Sequence, residues 1–339
     1  MNIAICSIYG ESYSKDKMFD ANACNIGQNL LMPNIMLKKE LEKDGNNVHT
    51  IDMNDIDQID KVIFMDIPYN SMLTTDGIMG YLKYFLKRKW KNDYLYKLVH
   101  KLDKNDIILQ INEPPTVWPL SYKKELHKYF GKVMTWCDDD IGGNCIKYCI
   151  PQYWDGKVLN YQYKDKRDFV IIAGNKQSEH INELYSERRS VIDYFEANNI
   201  EGFDLYGFGW EKELLNNYKG KVDDKLGVLS KYKFSFCFEN IKDMNGYITE
   251  KIFDCFFAGV VPIYIGASNI DKYVPSKCFI DYRQFESIEQ VVDFANNIGE
   301  EQYIEYQNNA IDFLNSELFK NNFSVDKYVE KMKACLLER

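Results

Sequence analysis

Three consecutive residues, Thr249, Glu250 and Lys251, have side chains suited to binding a charged nucleotide. Thr249 is a plausible N-cap for a helix, so that Glu250 and Lys251 fall in its first turn. The backbone N–H groups of that turn favour an anion. A glutamate there can accept hydrogen bonds from ribose hydroxyls, and a lysine can neutralise a phosphate. The pattern predicts a nucleotide site at a helix N-terminus.

Two arginines form a second candidate site for an anion. Arg188 and Arg189 lie near the start of a predicted helix, where the helix dipole disfavours cations unless an anion is nearby. We therefore predict that one of the two arginines binds a phosphate. The alternative interpretation is a pair of solvated charges on the helix surface, and at least one of the two arginines is expected to be that.

Glu113 is the candidate general base. It follows a predicted strand and precedes Pro114 and Pro115, which restrict its backbone and present its carboxylate at a sheet edge. A carboxylate in that position can take the proton of an attacking hydroxyl group. The alternative is an exposed turn carboxylate without a role in catalysis.

The run Asp138-Asp139-Asp140 raises the alternative of a metal site, because acidic residues after a strand can hold a divalent cation against a diphosphate. A triple acid before Gly142 and Gly143 is more typical of a solvated loop, so no metal ligands are predicted. The nine cysteines have no metal-ligand spacing either. We interpret them as thiols in a reducing compartment.

Short apolar runs that alternate with helical segments must position these side chains. In the first half, helical spacing covers Gly27–Asp44 and Ile78–Leu102. Strands that alternate with helices indicate parallel pairing, since a parallel connection needs a dozen or more residues. The predicted strands of this half are Asn2–Ile8, Asn47–Ile51, Lys61–Ile67, Asp106–Ile111 and Lys132–Trp136.

A second α/β series follows a polar, tyrosine-rich linker at 151–168. A helix is expected at Ser186–Asn198, and two more helices are expected between Glu300 and Arg339. The strand, loop, helix and strand within Tyr232–Ile280 place Glu250 and Lys251 at the carboxyl edge of the sheet. The predicted strands of this half are Asp168–Ala173, Phe203–Tyr206, Lys233–Phe238 and Val260–Ile265.

The composition narrows the classes of protein. A length of 339 residues with 45% hydrophobic residues suits two globular domains. The net charge of −9 argues against a nucleic-acid partner. No apolar run reaches the roughly 18 residues of a membrane span, and the amino terminus does not have the pattern of a signal peptide. We predict an α/β architecture of two similar halves with a cleft between them, which enzymes share with two-lobed binding proteins.

The segment Tyr232–Ile280 also resembles the donor-binding motif of the α-1,3/4-fucosyltransferases, glycosyltransferase family ten. Weaker similarity includes Asn112-Glu113-Pro114-Pro115, which is similar to the family's ESP turn but has Pro114 where Ser is usual. Ile241 likewise stands where the family often has Ser. The strongest matches are Phe238-Glu239-Asn240, Gly246-Tyr247-Ile248-Thr249-Glu250-Lys251, Gly259-Val260-Val261-Pro262 and Gly266, followed by Leu184–Arg189 and Leu205-Tyr206-Gly207.

This resemblance implies a GT-B fold, with two Rossmann-like domains and a cleft between them. It also implies an inverting, metal-independent transfer of fucose from GDP-fucose to a hydroxyl of a lipid-linked or soluble glycan. Glu113 would be the general base. Glu250 would contact the ribose, and Lys251 and Arg188 the diphosphate. The donor-binding residues would be Arg188, Asn240, Tyr247, Glu250 and Lys251.

We accordingly predict three segments. Residues 1–155 are expected to form an acceptor-side domain, 156–318 a nucleotide-sugar-binding domain and 319–339 a helical tail. No cofactor is required besides the GDP-sugar co-substrate, and a divalent metal is not expected. The expected location is cytoplasmic, with peripheral association at the inner membrane face left open. The alternatives are a transferase of the same fold that uses another GDP- or UDP-sugar, and a non-catalytic module that binds a nucleotide-sugar or glycan.

Overall fold

The computed structural model describes residues 1–23, 29–87, 89–159, 161–198, 200–211 and 215–337. These residues form two compact units. The first unit lies within Met1–Cys24, Leu31–Cys149 and Val325–Arg339, and the second lies within Asn25–Leu30 and Ile150–Ser324. Among the described residues no helix is both long and apolar enough to cross a membrane.

A six-stranded parallel sheet forms the centre of the first unit, in the order β2-β1-β3-β4-β5-β6. Its central strands are buried on both faces, as expected for a parallel sheet covered by other elements. The strands are β1 (Asn2–Ser7), β2 (Asn47–Thr50), β3 (Lys61–Met65), β4 (Ile107–Gln110), β5 (Lys132–Thr135) and β6 (Cys145–Lys147). The helices are α1 (Met32–Lys43), α2 (Gly77–Leu86), α3 (Tyr94–Lys101) and α10 (Val325–Leu337).

The predicted helix Ile78–Leu102 is wrong as a single element, because the chain forms α2 and α3 instead. The buried Asp93 caps α3, since its carboxylate accepts a hydrogen bond from the backbone N–H of Tyr96 at 3.0 Å. The predicted helix Gly27–Asp44 is present from Met32, with Pro33 in its first turn. Gly27 lies outside the described residues.

The last helix of the chain, α10, belongs to the first unit. The Tyr328 hydroxyl donates to Oε1 of Gln110 at the end of β4, over 2.8 Å. Lys333 forms an ion pair with Asp44, just beyond α1, at 2.6 Å. The predicted segments 1–155, 156–318 and 319–339 therefore differ from the observed units: 150–155 and 319–324 lie in the second unit, and α10 lies in the first. A helical pattern alone does not tell which sheet its apolar face will cover.

The second unit contains a five-stranded parallel sheet in the order β11-β10-β9-β7-β8. All nine predicted strands are present in the two sheets, and the structure adds the short strands β6 and β11. The strands of this unit are β7 (Arg167–Ile172), β8 (Phe203–Tyr206), β9 (Tyr232–Phe238), β10 (Val261–Ile265) and β11 (Ile280–Asp281). The helices are α4 (Tyr185–Asn198), α5 (Lys225–Leu229), α6 (Glu250–Phe257), α7 (Ile288–Asn296), α8 (Glu300–Leu314) and α9 (Glu317–Phe323).

The described part of the predicted linker 151–168 packs on the second unit. The Trp154 ring stacks on Phe257 at the end of α6, with ring centroids 5.4 Å apart. The Gln152 backbone N–H donates to the Phe323 carbonyl over 2.7 Å. The aromatic ring of Trp154 in this linker thus contributes to packing. The irregular stretch ends where β7 begins at Arg167.

Candidate functional site

The carboxyl edge of the second sheet carries a cluster of charged side chains at the N-terminus of α6. Strand β9 ends at Phe238, and the following loop leads to Thr249, the N-cap of α6. The Thr249 side chain accepts a hydrogen bond from the Lys251 backbone N–H at 3.4 Å. Gly246 permits the tight turn in this loop, with a φ of 83° that other residues rarely adopt. The predicted cap and helix start are confirmed.

Glu239, the residue immediately after β9, is completely buried and binds this helix start to the strand. Its carboxylate accepts hydrogen bonds from the Thr249 backbone N–H at 2.8 Å and from the Thr249 hydroxyl at 2.8 and 3.0 Å. Its Oε2 lies 3.1 Å from the Lys251 Nζ. A buried carboxylate is stable only with such partners. Glu239 thus fixes the position of Lys251.

Glu250 and Lys251 are both partly exposed at this edge, with 37% and 23% of their side chains accessible. Burial opposes the ionisation of Glu250, yet Lys251 and Lys225 lower the pKa of its carboxyl to about 2. Burial likewise opposes the charge of Lys251, but Glu239 and Glu250 raise its pKa. Both side chains are therefore charged near neutral pH. A partly exposed carboxylate and a partly exposed ammonium group side by side can bind hydroxyls and a phosphate.

A half-buried ion pair lies next to Glu250. The Lys225 Nζ, in α5, lies 2.6 Å from Oδ2 of Asp254, which is one helical turn after Glu250 in α6. Burial raises the pKa of the Asp254 carboxyl against the lowering effect of Lys225. Lys225 thus interacts with two carboxylates of one helix and draws α5 onto α6.

Arg188 is buried in α4 against the loop that follows β9. Its Nη2 donates to the carbonyls of Phe238 and Glu239 at 2.7 and 2.6 Å, and to Oδ1 of Asn240 at 3.0 Å. The guanidinium therefore shapes the loop that leads to α6. Arg189, by contrast, is exposed and lies over the Trp210 ring, 4.8 Å from its centroid.

The structure brings the five predicted donor-binding residues to the same edge of the second unit. Asn240 is half-buried and accepts the hydrogen bond from Arg188, which fixes its amide group. Tyr247 is 2% exposed and lies two residues before the N-cap Thr249. The Tyr247 side chain is therefore packed within the loop and is not an exposed ligand.

Glu113 lies at the carboxyl edge of the other sheet, in the first unit. It follows β4, and the neighbouring strands β3 and β1 are followed by Asp66 and Tyr9. Parallel strands place the residues after their carboxyl ends at one edge, which explains why these three side chains meet. The Tyr9 hydroxyl donates to Oε1 of Glu113.

The Glu113 segment is fixed from several sides. Its carbonyl accepts a hydrogen bond from the Tyr122 hydroxyl at 2.8 Å, and its backbone N–H donates to Oδ2 of Asp66 at 3.2 Å. No hydrogen bond to Oε2 of Glu113 occurs among the described residues. Burial and the Glu113 charge raise the pKa of the Tyr9 hydroxyl, so that Tyr9 remains a donor.

Asp66 contacts the backbone of Glu113. Its side chain is completely buried, and its backbone φ is 64°. It accepts hydrogen bonds from the Ser121 hydroxyl at 2.9 Å and from the Asn112 and Glu113 backbone N–H groups at 3.2–3.3 Å. Burial raises the pKa of Asp66 to about 8, with a further rise from Glu113 and an opposing effect of Ser121. Asp66 therefore organises the turn that carries Glu113.

The acidic run 138–140 forms a turn in which two members pair with lysines. Asp138 lies 2.6 Å from the Lys147 Nζ, and Asp140 lies 2.5 Å from the Lys124 Nζ. Within the described part of the chain, no group of three or more His, Cys, Asp or Glu side chains is arranged to hold a metal ion.

Three groups of these side chains were missed by sequence reasoning: Tyr9 and Asp66 beside Glu113, Glu239 beneath Lys251, and the pair Lys225–Asp254. Glu239 has a sequence signal, because an acidic residue directly after a buried strand requires a partner. Tyr9 and Asp66 are 57 residues apart and meet only through the strand order, so no local pattern reveals them.

The sequence is similar to a known protein family. The family model "Glycosyltransferase family 10 (fucosyltransferase) C-term" matches residues 165–335, half of the chain. An alpha-(1,3)-fucosyltransferase, FucT, of Helicobacter pylori is 31% identical over 119 residues, which cover 34% of this chain and 25% of the relative. An alpha-(1,4)-fucosyltransferase of Arabidopsis thaliana is 38% identical over 113 residues, which cover 32% and 28%. The alignments thus span about a quarter of each relative.

Solved structures show the same fold. A crystal structure of an alpha1,3-fucosyltransferase with GDP-fucose matches with a TM-score of 0.53 and 17% identity, and covers 100% of this chain and 90% of that one. A DNA-modifying beta-glucosyltransferase matches with a TM-score of 0.58 and 14% identity over 99% of both chains. With the two parallel sheets, these neighbours confirm the predicted α/β fold of the GT-B type. Because the family model matches half of this chain, the chain belongs to glycosyltransferase family 10, the fucosyltransferases.

Proposed function

We propose that this protein transfers fucose from GDP-fucose to a hydroxyl of a glycan acceptor, lipid-linked or soluble, with inversion at the anomeric carbon. The observation that carries the proposal is the charged cluster at the N-terminus of α6, which lies inside the segment that matches the fucosyltransferase family. A related structure contains GDP-fucose. In this proposal the second unit binds the donor and the first unit binds the acceptor.

The donor site would be formed by five side chains. Glu250 would accept hydrogen bonds from the ribose hydroxyls, which suits a carboxylate with a pKa near 2. Lys251 would neutralise a phosphate, and Arg188 would contribute positive charge from behind the loop. Asn240 and Tyr247 would line the nucleotide-sugar site, since both shape the loop between β9 and α6.

Glu113 would act as the general base. Its carboxylate would take the proton of the acceptor hydroxyl while that oxygen forms a bond to the anomeric carbon and the bond from this carbon to the phosphate oxygen of GDP breaks. The Tyr9 hydroxyl holds one carboxylate oxygen of Glu113, which orients the group. The charge that develops on GDP would be balanced by Lys251, Arg188 and the N-terminus of α6.

A mechanism without a metal ion is supported by these cations and by the lysine partners of Asp138 and Asp140. Transfer is therefore expected to continue in a chelator. If transfer were lost completely in the chelator and restored by Mn²⁺, a metal ion held by Asp138 and Asp140 would bind the diphosphate instead.

A cytoplasmic location is the matching proposal for the compartment. Every cysteine that the structure describes is outside a disulfide, and seven of these eight are buried. Buried thiols without disulfide partners suit a reducing environment.

The test compares Glu113→Gln with Glu125→Gln, a control at an exposed position of the same unit. Gln keeps the size and polarity of Glu but cannot accept the proton. Turnover with GDP-fucose, measured over an array of glycan acceptors, should fall about 10²- to 10⁴-fold in Glu113→Gln, with GDP affinity unchanged. The control should turn over like the wild type.

Two results would contradict the proposed role of Glu113. Near-normal turnover of Glu113→Gln would assign the base to another carboxylate. Loss of GDP binding would give Glu113 a structural role. A wild-type protein that binds GDP-fucose but transfers nothing to any acceptor would instead support a non-catalytic binding module.

A further inference from the structure

Helix α2 exposes nearly its whole apolar surface. Ile78, Leu82 and Phe85 are 81%, 51% and 55% exposed, although such side chains are usually buried. At 3.6 residues per turn the exposed apolar side chains occupy one continuous arc of roughly 160°. The exposed set is completed by Met79, Tyr81 and Leu86.

The opposite side of α2 is anchored. Tyr84 is the buried side chain of the helix, and its hydroxyl donates to Oδ2 of Asp93 over 2.8 Å. Asp93 in turn caps α3 and accepts a hydrogen bond from the Met72 backbone N–H at 2.7 Å. The orientation of α2 is therefore fixed by the fold of the first unit, with its apolar arc directed outward.

Positive charge borders this arc. Lys83 and Lys87 are exposed and follow the apolar arc around the helix, and Lys89 and Lys91 continue the basic run. By sequence, residues 77–92 contain five Lys or Arg and no Asp or Glu, in a chain whose net charge is −9. The preceding acid, Asp76, pairs with Lys123 at 3.2 Å.

We propose that the α2 surface, formed by the apolar arc of α2 and the lysines at positions 83, 87, 89 and 91, docks on an anionic lipid bilayer. An apolar arc with a cationic border is the pattern of a helix that lies in the plane of a membrane interface. The apolar side chains enter the boundary between headgroups and acyl chains, and the lysines contact anionic headgroups.

Charge decides between a bilayer and a second copy of this chain. If two copies joined through α2, both lysine runs would lie at one interface, and like charges at an interface are unfavourable. An anionic bilayer offers both an apolar layer and the opposite charge. This inference goes beyond the proposed transfer reaction and depends on neither donor nor acceptor.

The test is sedimentation of the full chain with vesicles of phosphatidylcholine and phosphatidylglycerol, compared with vesicles of phosphatidylcholine alone. The double variant Leu82→Glu/Phe85→Glu places charge in the apolar arc. Its control is Ile181→Glu, at a side chain of the second unit that is 90% exposed. A second double variant, Lys83→Glu/Lys87→Glu, has the control Lys39→Glu/Lys128→Glu, which reverses two exposed lysines elsewhere in the first unit.

The wild type should sediment with the mixed vesicles, more weakly at high salt and more weakly with phosphatidylcholine alone. Each α2 double variant should lower the partition coefficient at least about tenfold, and each control should change it less than about twofold. Melting temperatures should stay near the wild-type value, since the substituted side chains are exposed.

Three results would overturn the proposal. The first is a wild type that does not bind the mixed vesicles. The second is equal binding by Leu82→Glu/Phe85→Glu and Ile181→Glu. The third is a wild type that dimerises in solution, does not bind vesicles and becomes monomeric in Leu82→Glu/Phe85→Glu, which would assign the α2 surface to a second copy of the chain.

Discussion

Asp66 combines a positive φ with a buried carboxyl group, next to the candidate base Glu113. Burial raises its pKa to about 8, whereas an aspartate in the unfolded chain has a pKa of about 3.9. Between about pH 4 and pH 8 the folded chain therefore retains a proton that the unfolded chain has released. The stability that this proton confers is complete below about pH 4 and is lost as the pH rises through 8.

Asp66→Asn should remove this dependence, because an amide does not titrate. The free energy of unfolding of the variant relative to the wild type should rise by about 2–4 kcal/mol from pH 5 to pH 8. Urea unfolding at several pH values measures this difference. Asp57→Asn, at an exposed aspartate of the same unit, is the control and should follow the wild-type curve. Parallel curves for Asp66→Asn and the wild type would show that Asp66 is ionised throughout this range.

Lys251 has one partner in the folded protein, Glu239, and a second in the proposed reaction, a phosphate of GDP. Lys251→Met leaves the buried Glu239 without its ion partner, which should cost about 3–5 kcal/mol in the free energy of unfolding. The double variant Lys251→Met/Glu239→Gln removes both charges and should recover most of this stability. GDP affinity, measured by calorimetry, should remain about 10- to 150-fold weaker in both variants, because one charge-assisted contact is lost.

Lys231→Met is the matched control for Lys251, since it removes an exposed lysine immediately before β9. It should change neither stability nor GDP affinity measurably. If the double variant regained GDP affinity together with stability, Lys251 would be a structural partner of Glu239 and not a ligand of the nucleotide.

At the scale of elements, α6 is held at both ends. Its N-terminus is bound through Thr249 and Glu239. Beyond its C-terminus, the carbonyl of Gly259 accepts hydrogen bonds from the side chains of Lys166, Tyr303 and Gln307 at 2.7–2.9 Å. A helix fixed in this way presents Glu250 and Lys251 without having to order them when a ligand binds, which lowers the cost of binding.

Thr249→Ala should loosen the first of these two ends. The variant loses the N-cap and the hydroxyl contact with Glu239, so the free energy of unfolding should fall by about 1–3 kcal/mol and GDP affinity should fall with it. Thr249→Ser keeps both contacts and should stay close to the wild type. Ser287→Ala removes the N-cap of α7 and should lower stability by about 1 kcal/mol without affecting GDP affinity. Equal GDP affinities for Thr249→Ala and Ser287→Ala would show that the N-cap of α6 does not contribute to GDP binding.

The sequence allowed prediction where the signals are local. The strand, loop and helix around Thr249 were predictable because alternation, cap and first turn lie within about twenty residues. The division between α2 and α3 was not, because a continuous helical pattern hides the cap that Asp93 provides. The neighbours of Glu113 were also hidden, since Tyr9 and Asp66 reach it only through the order of three strands.

At the scale of the whole chain, the two sheets do not divide the sequence at a single point. The chain leaves the first unit after Cys149 and returns to it at Val325, so that α10 completes that unit. Helix α10 packs against α1, and the Lys132 Nζ donates to the Ala334 carbonyl at 3.2 Å. The C-terminal segment therefore contributes to the stability of the sheet that carries Glu113.

Met332→Asp tests this assignment, because Met332 is completely buried in α10 and an aspartate there would be a buried, unpaired charge. The free energy of unfolding of the first unit should fall by about 3 kcal/mol or more. Hydrogen exchange should then accelerate for the backbone N–H groups of β4 and β5, while β9 and β10 keep their protection. Glu330→Ala, at an exposed position of the same helix, is the control and should stay within about 0.5 kcal/mol of the wild type. Faster exchange confined to β9 and β10 would mean that α10 stabilises the second sheet instead of the first.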